Sequence, residues 1–215
     1  MSQHRGLNLI RQTGIIAIMR AENPDDLLYV ADAVCAGGVR AIEVTLNTPG
    51  ALAVIEQAVG RYNQDILFGA GTVLDAESAR VAILAGAQFV VSPTFNPATV
   101  EMCRRYSIPV IPGAFTPTEI VAAWEGGADM VKIFPVNLGG PDLIKILKGP
   151  LAHVEMVAVG NVTLENVAAY IRAGVAAVGL GSALITPKLL VTKDFTNITT
   201  RARRFIETVK IVRSG

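Results

Sequence analysis

The chain is poor in the residues on which most catalytic machineries depend. Its 215 residues include two histidines, two cysteines and one tryptophan, and only 17% are charged. His4 and His153 lie far apart, and neither has cysteines or carboxylates at ligand spacing, so no resident metal is expected. A net charge of +1, the lack of a basic stripe and 6% aromatics exclude nucleic acid as a partner. No apolar run approaches the roughly 18–20 residues of a membrane span; Ile15 to Met19 is far too short. Arg11 and Gln12 interrupt the first segment before a signal-peptide core develops. No glycine-rich loop has a dinucleotide or Walker pattern, so no cofactor is expected. Cys35 and Cys103 fall in separate helical segments, and both read as buried small hydrophobes in a reducing cytoplasm.

What the chain does have is apolar residues, 51% of the total, arranged in a repeating pattern. Short β-rich runs cover 14–20, 41–46, 67–72, 89–93, 109–114, 130–135, 154–160 and 176–181. Amphipathic helical runs lie between them, among them 25–36, 49–60, 76–85 and 117–126. Eight strands alternating with helices predict a parallel sheet with crossover helices, and closing it into a (β/α)8 TIM barrel satisfies both edges. Ala36-Gly37-Gly38, Ala85-Gly86-Ala87, Gly126-Gly127-Ala128 and Ala173-Gly174-Val175 each separate a helix from a strand. Glycine there suits a left-handed helix stop, and a recurrence of roughly 40–50 residues suits a quarter-barrel unit used four times. Residues 2–12 and 195–212 read as flanking helices, the second with a solvated basic face at Arg201, Arg203 and Arg204. Without a linker or low-complexity segment, 1–215 reads as one domain.

Buried parallel strands should be apolar on both faces, so charges inside them carry information. Three interrupt the pattern: Arg20 ending IIAIMR, Glu43 in AIEVTL and Lys132 in MVKIFP. Period-two alternation sets Ile42, Val44 and Leu46 on one face, leaving Glu43 and Thr45 to point into the barrel. Lys132 lies opposite Val131 and Ile133 by the same count. Both groups then converge on the mouth, where barrels place their chemistry. One reading is a buried salt bridge that only holds the fold. Apolar residues replace such pairs at little cost, so the fold gains little by keeping one. The other reading is chemistry. Met130, Val131, Ile133 and Phe134 give Lys132 an apolar setting that favours the neutral amine, which attacks a ketone to form a Schiff base. Glu43 would then move protons as one half of a coupled pair. An epimerase or isomerase using Glu43 as base, or a sugar-phosphate-binding barrel, are the competing readings. Gly69-Ala70-Gly71-Thr72, Gly160-Asn161 and Gly179-Leu180-Gly181-Ser182 end strands and read as anion cradles, or for the glycines as tight packing.

GIIAIMR, IEVTLNTP, GAGTVL, SPT, Pro112-Gly113, VKIFP and GLGSAL, spread over about residues 8–187, together resemble the 2-keto-3-deoxy-phosphogluconate / 4-hydroxy-2-oxoglutarate aldolase family. The resemblance implies retro-aldol cleavage of a phosphorylated 2-keto-3-deoxy sugar acid to pyruvate and glyceraldehyde 3-phosphate, by a homotrimer. It implies Lys132 as the Schiff-base lysine, Glu43 as general acid/base, and Thr72 and Arg20 on the pyruvate carboxylate. Pro93 belongs to the same site, and Gly160, Gly181 and Ser182 fall where the family binds the distal phosphate. Two positions depart. Asn47 stands where gluconate-type members carry arginine and galactonate-type members asparagine. Asn161 replaces the second glycine of a Gly-Gly pair, which leaves an unphosphorylated 4-hydroxy-2-oxo acid as an alternative substrate.

Overall fold

Apolar side chains in this chain alternate by twos along each short run, and the runs pair only in parallel. The computed structural model describes residues 3–20, 25–62 and 66–215. Its strands are β1 (Ile15–Met19), β2 (Ala41–Thr45), β3 (Leu67–Gly71), β4 (Val90–Val91), β5 (Val110–Ile111), β6 (Gly113–Ala114), β7 (Val131–Ile133), β8 (Met156–Val159) and β9 (Ala177–Leu180). They form one sheet in the order β5-β4-β3-β2-β1-β9-β8-β7-β6. Nine segments replace the eight expected strands for a covalent reason. Pro112 has no N–H, so the run 109–114 breaks there into β5 and β6. The break does not open the barrel. Asp129 N donates to Val110 O, Lys132 N to Pro112 O and Phe134 N to Ala114 O, so β7 is tied to both halves. The expected strands at 89–93 and 130–135 are shorter than their apolar runs.

Helices cover the barrel. They are α1 (Gln3–Thr13), α2 (Asp25–Ala36), α3 (Ala51–Arg61), α4 (Ala76–Leu84), α5 (Pro97–Arg105), α6 (Pro117–Glu125), α7 (Gly140–Lys148), α8 (Val167–Arg172), α9 (Pro187–Val191) and α10 (Phe195–Ser214). The expected flanking helices are α1 and α10; residue 2 lies outside the described residues. Two apolar layers result. Ile15, Ala17, Met19, Ile42, Val44, Val131 and Ile133 face the helices. Ile16, Ala41, Leu67, Phe89, Val91, Ile111, Met130, Val157 and Ala177 fill the interior, together with Leu7 and Ile10 of α1. Leu7 and Ile10 therefore close the amino-terminal floor of the barrel. Arg11 clips α1 in place through Glu155, at 2.8 Å from Nε and 2.6 Å from NH2. Arg213 at the end of α10 donates to Arg11 O at 2.6 Å.

The four recurrent glycines end helices as their pattern predicts. Gly38, Gly86, Gly127 and Gly174 all sit in the left-handed region, at φ 100, 95, 94 and 98°. In each case the next residue's N–H reaches back five positions, as in Ala87 N to Ala82 O and Ala128 N to Ala123 O. These are Schellman stops. The same bond ends α5, where Ile108 N donates to Cys103 O, but a serine occupies the left-handed position (Ser107, φ 55°). Serine carries a Cβ into a region that costs an L-residue about 1–2 kcal/mol. Ser107→Gly is therefore expected to stabilise the protein by about 1 kcal/mol, and Gly86→Ala to destabilise it by a similar amount. Thermal unfolding checks both; melting points that move in the same direction contradict the assignment.

Candidate active site

Lys132 and Glu43 enter the interior from opposite walls. Whichever way the ladder is followed, β2 and β7 are four neighbours apart, counting β5 and β6 as one wall. Lys132 is 6% exposed and Glu43 is 2% exposed. Beneath them lies the apolar floor of Ile16, Phe89, Met130 and Val157. Among the described residues the two charged groups make no direct ion pair with each other. A purely structural salt bridge would have joined them. Met130 and, across the register, Val157 belong to the interior layer around Lys132, whereas Val131 and Ile133 turn to the helices. Lys132 Nζ lies 4.9 Å from the centre of the Phe134 ring.

Glycines allow close packing around both groups. In the register, Gly113 lies beside Lys132, and a Cβ on it would strike the Pro93 carbonyl. A Cβ on Gly71 would strike the Glu43 carboxylate, and one on Gly69 would lie 2.6 Å from the Phe89 ring. The glycines of GAGT thus serve close packing. Thr72 follows them at φ 57°, a strained conformation for a β-branched residue, and half-buried at the end of β3. Burial pushes the Glu43 carboxyl up from its ordinary range, opposed by the positive charges of Lys132 and Arg20. Its carboxyl is thereby held nearer to the point where it can both take up and release a proton.

The remaining sequence-selected residues ring the same carboxyl-terminal end of the barrel. Arg20 follows β1, is exposed, and donates from Nε to Thr45 Oγ1 at 3.4 Å. Asn47 is exposed in the turn after β2, and Pro93 is half-buried after β4. Gly160 and Asn161 follow β8, and Gly181 and Ser182 follow β9, the neighbouring strand. Asn161 adopts a left-handed φ of 50°, directly after Gly160 at 121°. Gly160 is closed in by Asn137 Oδ1 and Val136 N, whereas Gly181 faces open space. His153 lies before β8 at the opposite end, edge-on to Trp124 at 4.7 Å. The sequence pattern already turns Thr45 inward and puts Phe134 beside Lys132 without giving either a site role, and Thr48 is not singled out at all. Both cysteines are free, Cys103 buried and Cys35 only half-buried, and burial pushes both thiols up to about 12. Among the described residues no group of three or more His, Cys, Asp or Glu could hold a metal, and no helix is long and apolar enough to cross a membrane.

Residues 7–201 match the family described as "Aldolase: KDPG and KHG aldolase". A 2-dehydro-3-deoxy-phosphogluconate aldolase of Treponema pallidum is 37% identical over 94% of this chain and 97% of its own. A 2-dehydro-3-deoxy-6-phosphogalactonate aldolase of Escherichia coli K12 is 40% identical over 79% of this chain and 83% of its own. The crystal structure of KDPG aldolase from Legionella pneumophila, with pyruvate captured as a covalent carbinolamine, superposes with a TM-score of 0.83 at 27% identity. It matches 92% of this chain and 96% of the other. A buried lysine facing a buried carboxyl across a parallel barrel, and relatives this similar over nearly their whole length, lead to one conclusion: the chain belongs to the KDPG and KHG aldolase family, whose members are carbon–carbon lyases.

Proposed function

We propose that the protein is a class I aldolase that cleaves a 2-keto-3-deoxy sugar acid phosphate to pyruvate and glyceraldehyde 3-phosphate. The observation that carries this reading is the unpaired opposition of Lys132 and Glu43 over an apolar floor. The neutral Lys132 amine adds to the C2 ketone and water leaves, giving an iminium. Glu43 takes the proton from the C4 hydroxyl, and the C3–C4 bond breaks. Its electron pair flows into the iminium, the aldehyde departs, and an enamine remains. Protonation at C3 by Glu43 and addition of water release pyruvate and restore the amine. The centre of the Phe134 ring lies 4.9 Å from the lysine nitrogen. Arg20 and Thr72 bind the substrate carboxylate, Arg20 with a planar fork suited to it. Pro93 shapes the wall beside Lys132. Amides around Gly160, Asn161, Gly181 and Ser182 receive the phosphate, with no metal or other cofactor taking part.

Asn47 decides between sugars. An uncharged, exposed asparagine at the mouth matches the galactonate-type pattern, so the galactonate-type substrate is expected to turn over faster than the gluconate type. The unphosphorylated 4-hydroxy-2-oxo acid is expected to be slowest. Comparing kcat/KM for the three checks this; faster turnover of the unphosphorylated acid contradicts the phosphate site. The reading further includes a homotrimer in the cytoplasm. Exposed Leu74, Val81, Leu84 and Tyr106, clustered at α4 and α5, give it an apolar face to bury. Sedimentation should show three chains per particle.

Glu43 provides the pH signature. Its folded-state pKa is raised, so the ionised base is lost as pH falls through a value above the ordinary glutamate range of about 4.3. The acid limb of kcat should therefore lie above that range. Glu43→Gln should slow cleavage by about a hundredfold or more and remove that limb. A Gln variant with full activity excludes Glu43 from the reaction.

A further inference from the structure

Arg20 is a long, exposed side chain at a strand end, and both rotamer freedom and hydration pull it away from the barrel. A guanidinium that is to meet a small carboxylate at a fixed place needs a tether. Ile18 lies opposite Glu43 and Met19 opposite Val44, so Arg20 comes next to Thr45, the inward residue one step above Glu43. Arg20 Nε donates to Thr45 Oγ1 at 3.4 Å. The Thr45 hydroxyl is 1% exposed and also contacts Met19 O at 3.4 Å and Thr48 Oγ1 at 3.2 Å. Thr48 is 3% exposed.

The protons in this network can have only one arrangement that makes all three bonds. Arg20 Nε can only donate, and the Met19 carbonyl can only accept. Thr45 has a single hydroxyl proton, which goes to Met19 O. Its lone pairs then accept from Arg20 and from Thr48, so Thr48 must be the donor of the third bond. The hydroxyl is held from three directions and cannot rotate without breaking a bond inside a buried site.

We propose that Thr45, oriented by Thr48, is the positioning residue for Arg20, fixing the guanidinium over the barrel mouth next to Glu43. The inference rests on the aldolase reading of the site. Thr45 acts through Arg20 and touches no reacting atom. Loss of the tether has two consequences that a loss of packing would not have together. The substrate carboxylate is held less well. The positive charge beside Glu43 also drifts off; that charge opposes the rise of the Glu43 pKa, so its removal lets the pKa climb further. Among the described residues the charged groups acting on Glu43 are Lys132 from β7 and Arg20 from β1, and β3 presents the uncharged Gly69 and Gly71. Lys132 is untouched by the change.

The test uses Thr45→Val, Thr45→Ser and Thr48→Val in the full chain, with the keto acid that the wild type cleaves fastest. For Thr45→Val, KM should rise about three- to tenfold and the acid limb of kcat should move up by about 0.5–1 pH unit. On the plateau above the limb, kcat should stay within about twofold. Thr45→Ser keeps the oxygen and should restore the wild-type limb; Thr48→Val should show the same shifts in smaller size. An unmoved limb in a folded Thr45→Val protein, or a uniform loss of kcat at every pH, overturns the inference. If Thr45→Val does not fold, Thr48→Val decides by the same limb. Failure of the wild type to cleave any of the keto acids overturns the aldolase reading itself.

Discussion

Two groups that water would normally keep charged are placed where water is scarce, and most of the barrel is arranged around that cost. Taking an isolated charge out of water costs several kcal/mol even after relaxation, unless it is paired or neutralised. Glu43 and Lys132 are both buried, yet they are not paired with each other. Each sees the other's charge across the barrel, and Glu43 answers burial by holding its proton more tightly. In the proposed reaction a ligand with a ketone and a hydroxyl would lie between them and exchange protons with both. For the fold alone the arrangement is a cost.

The rest of the molecule makes that arrangement rigid. The floor is sealed by α1, whose Leu7 and Ile10 join the interior layer. Gly71 and Gly113 lack side chains where Glu43 and the Pro93 carbonyl need the space. Two non-glycine residues at the mouth, Thr72 and Asn161, are held at positive φ. A closed parallel sheet with capped helices can hold such residues because every strand is fixed on both sides.

Much of this was legible in the sequence because it follows from period and sign. Alternation along AIEVTL and MVKIFP puts Glu43 and Lys132 inside, and the glycines at 38, 86, 127 and 174 mark helix stops that the structure shows in full. What was not legible depends on neighbours distant in the chain. Nothing in GAGT tells that Gly71 yields to Glu43 and Gly69 to Phe89, since those contacts need the register of β2, β3 and β4. Ser107 and Lys193 adopt left-handed conformations without glycine, so no residue type announces those turns. Pro112 is visible as a strand breaker, but not that β7 bonds on either side of it. The hydroxyls of Thr45 and Thr48 gain their meaning only from the position of Arg20.

The proposed chemistry turns on one nitrogen, Lys132 Nζ. Incubating the protein with pyruvate and borohydride, then mapping the modified peptide by mass spectrometry, asks whether that nitrogen forms the imine. A stable reduced pyruvyl adduct on Lys132, absent without pyruvate, is expected. No adduct, or one carried by a different lysine, would contradict it.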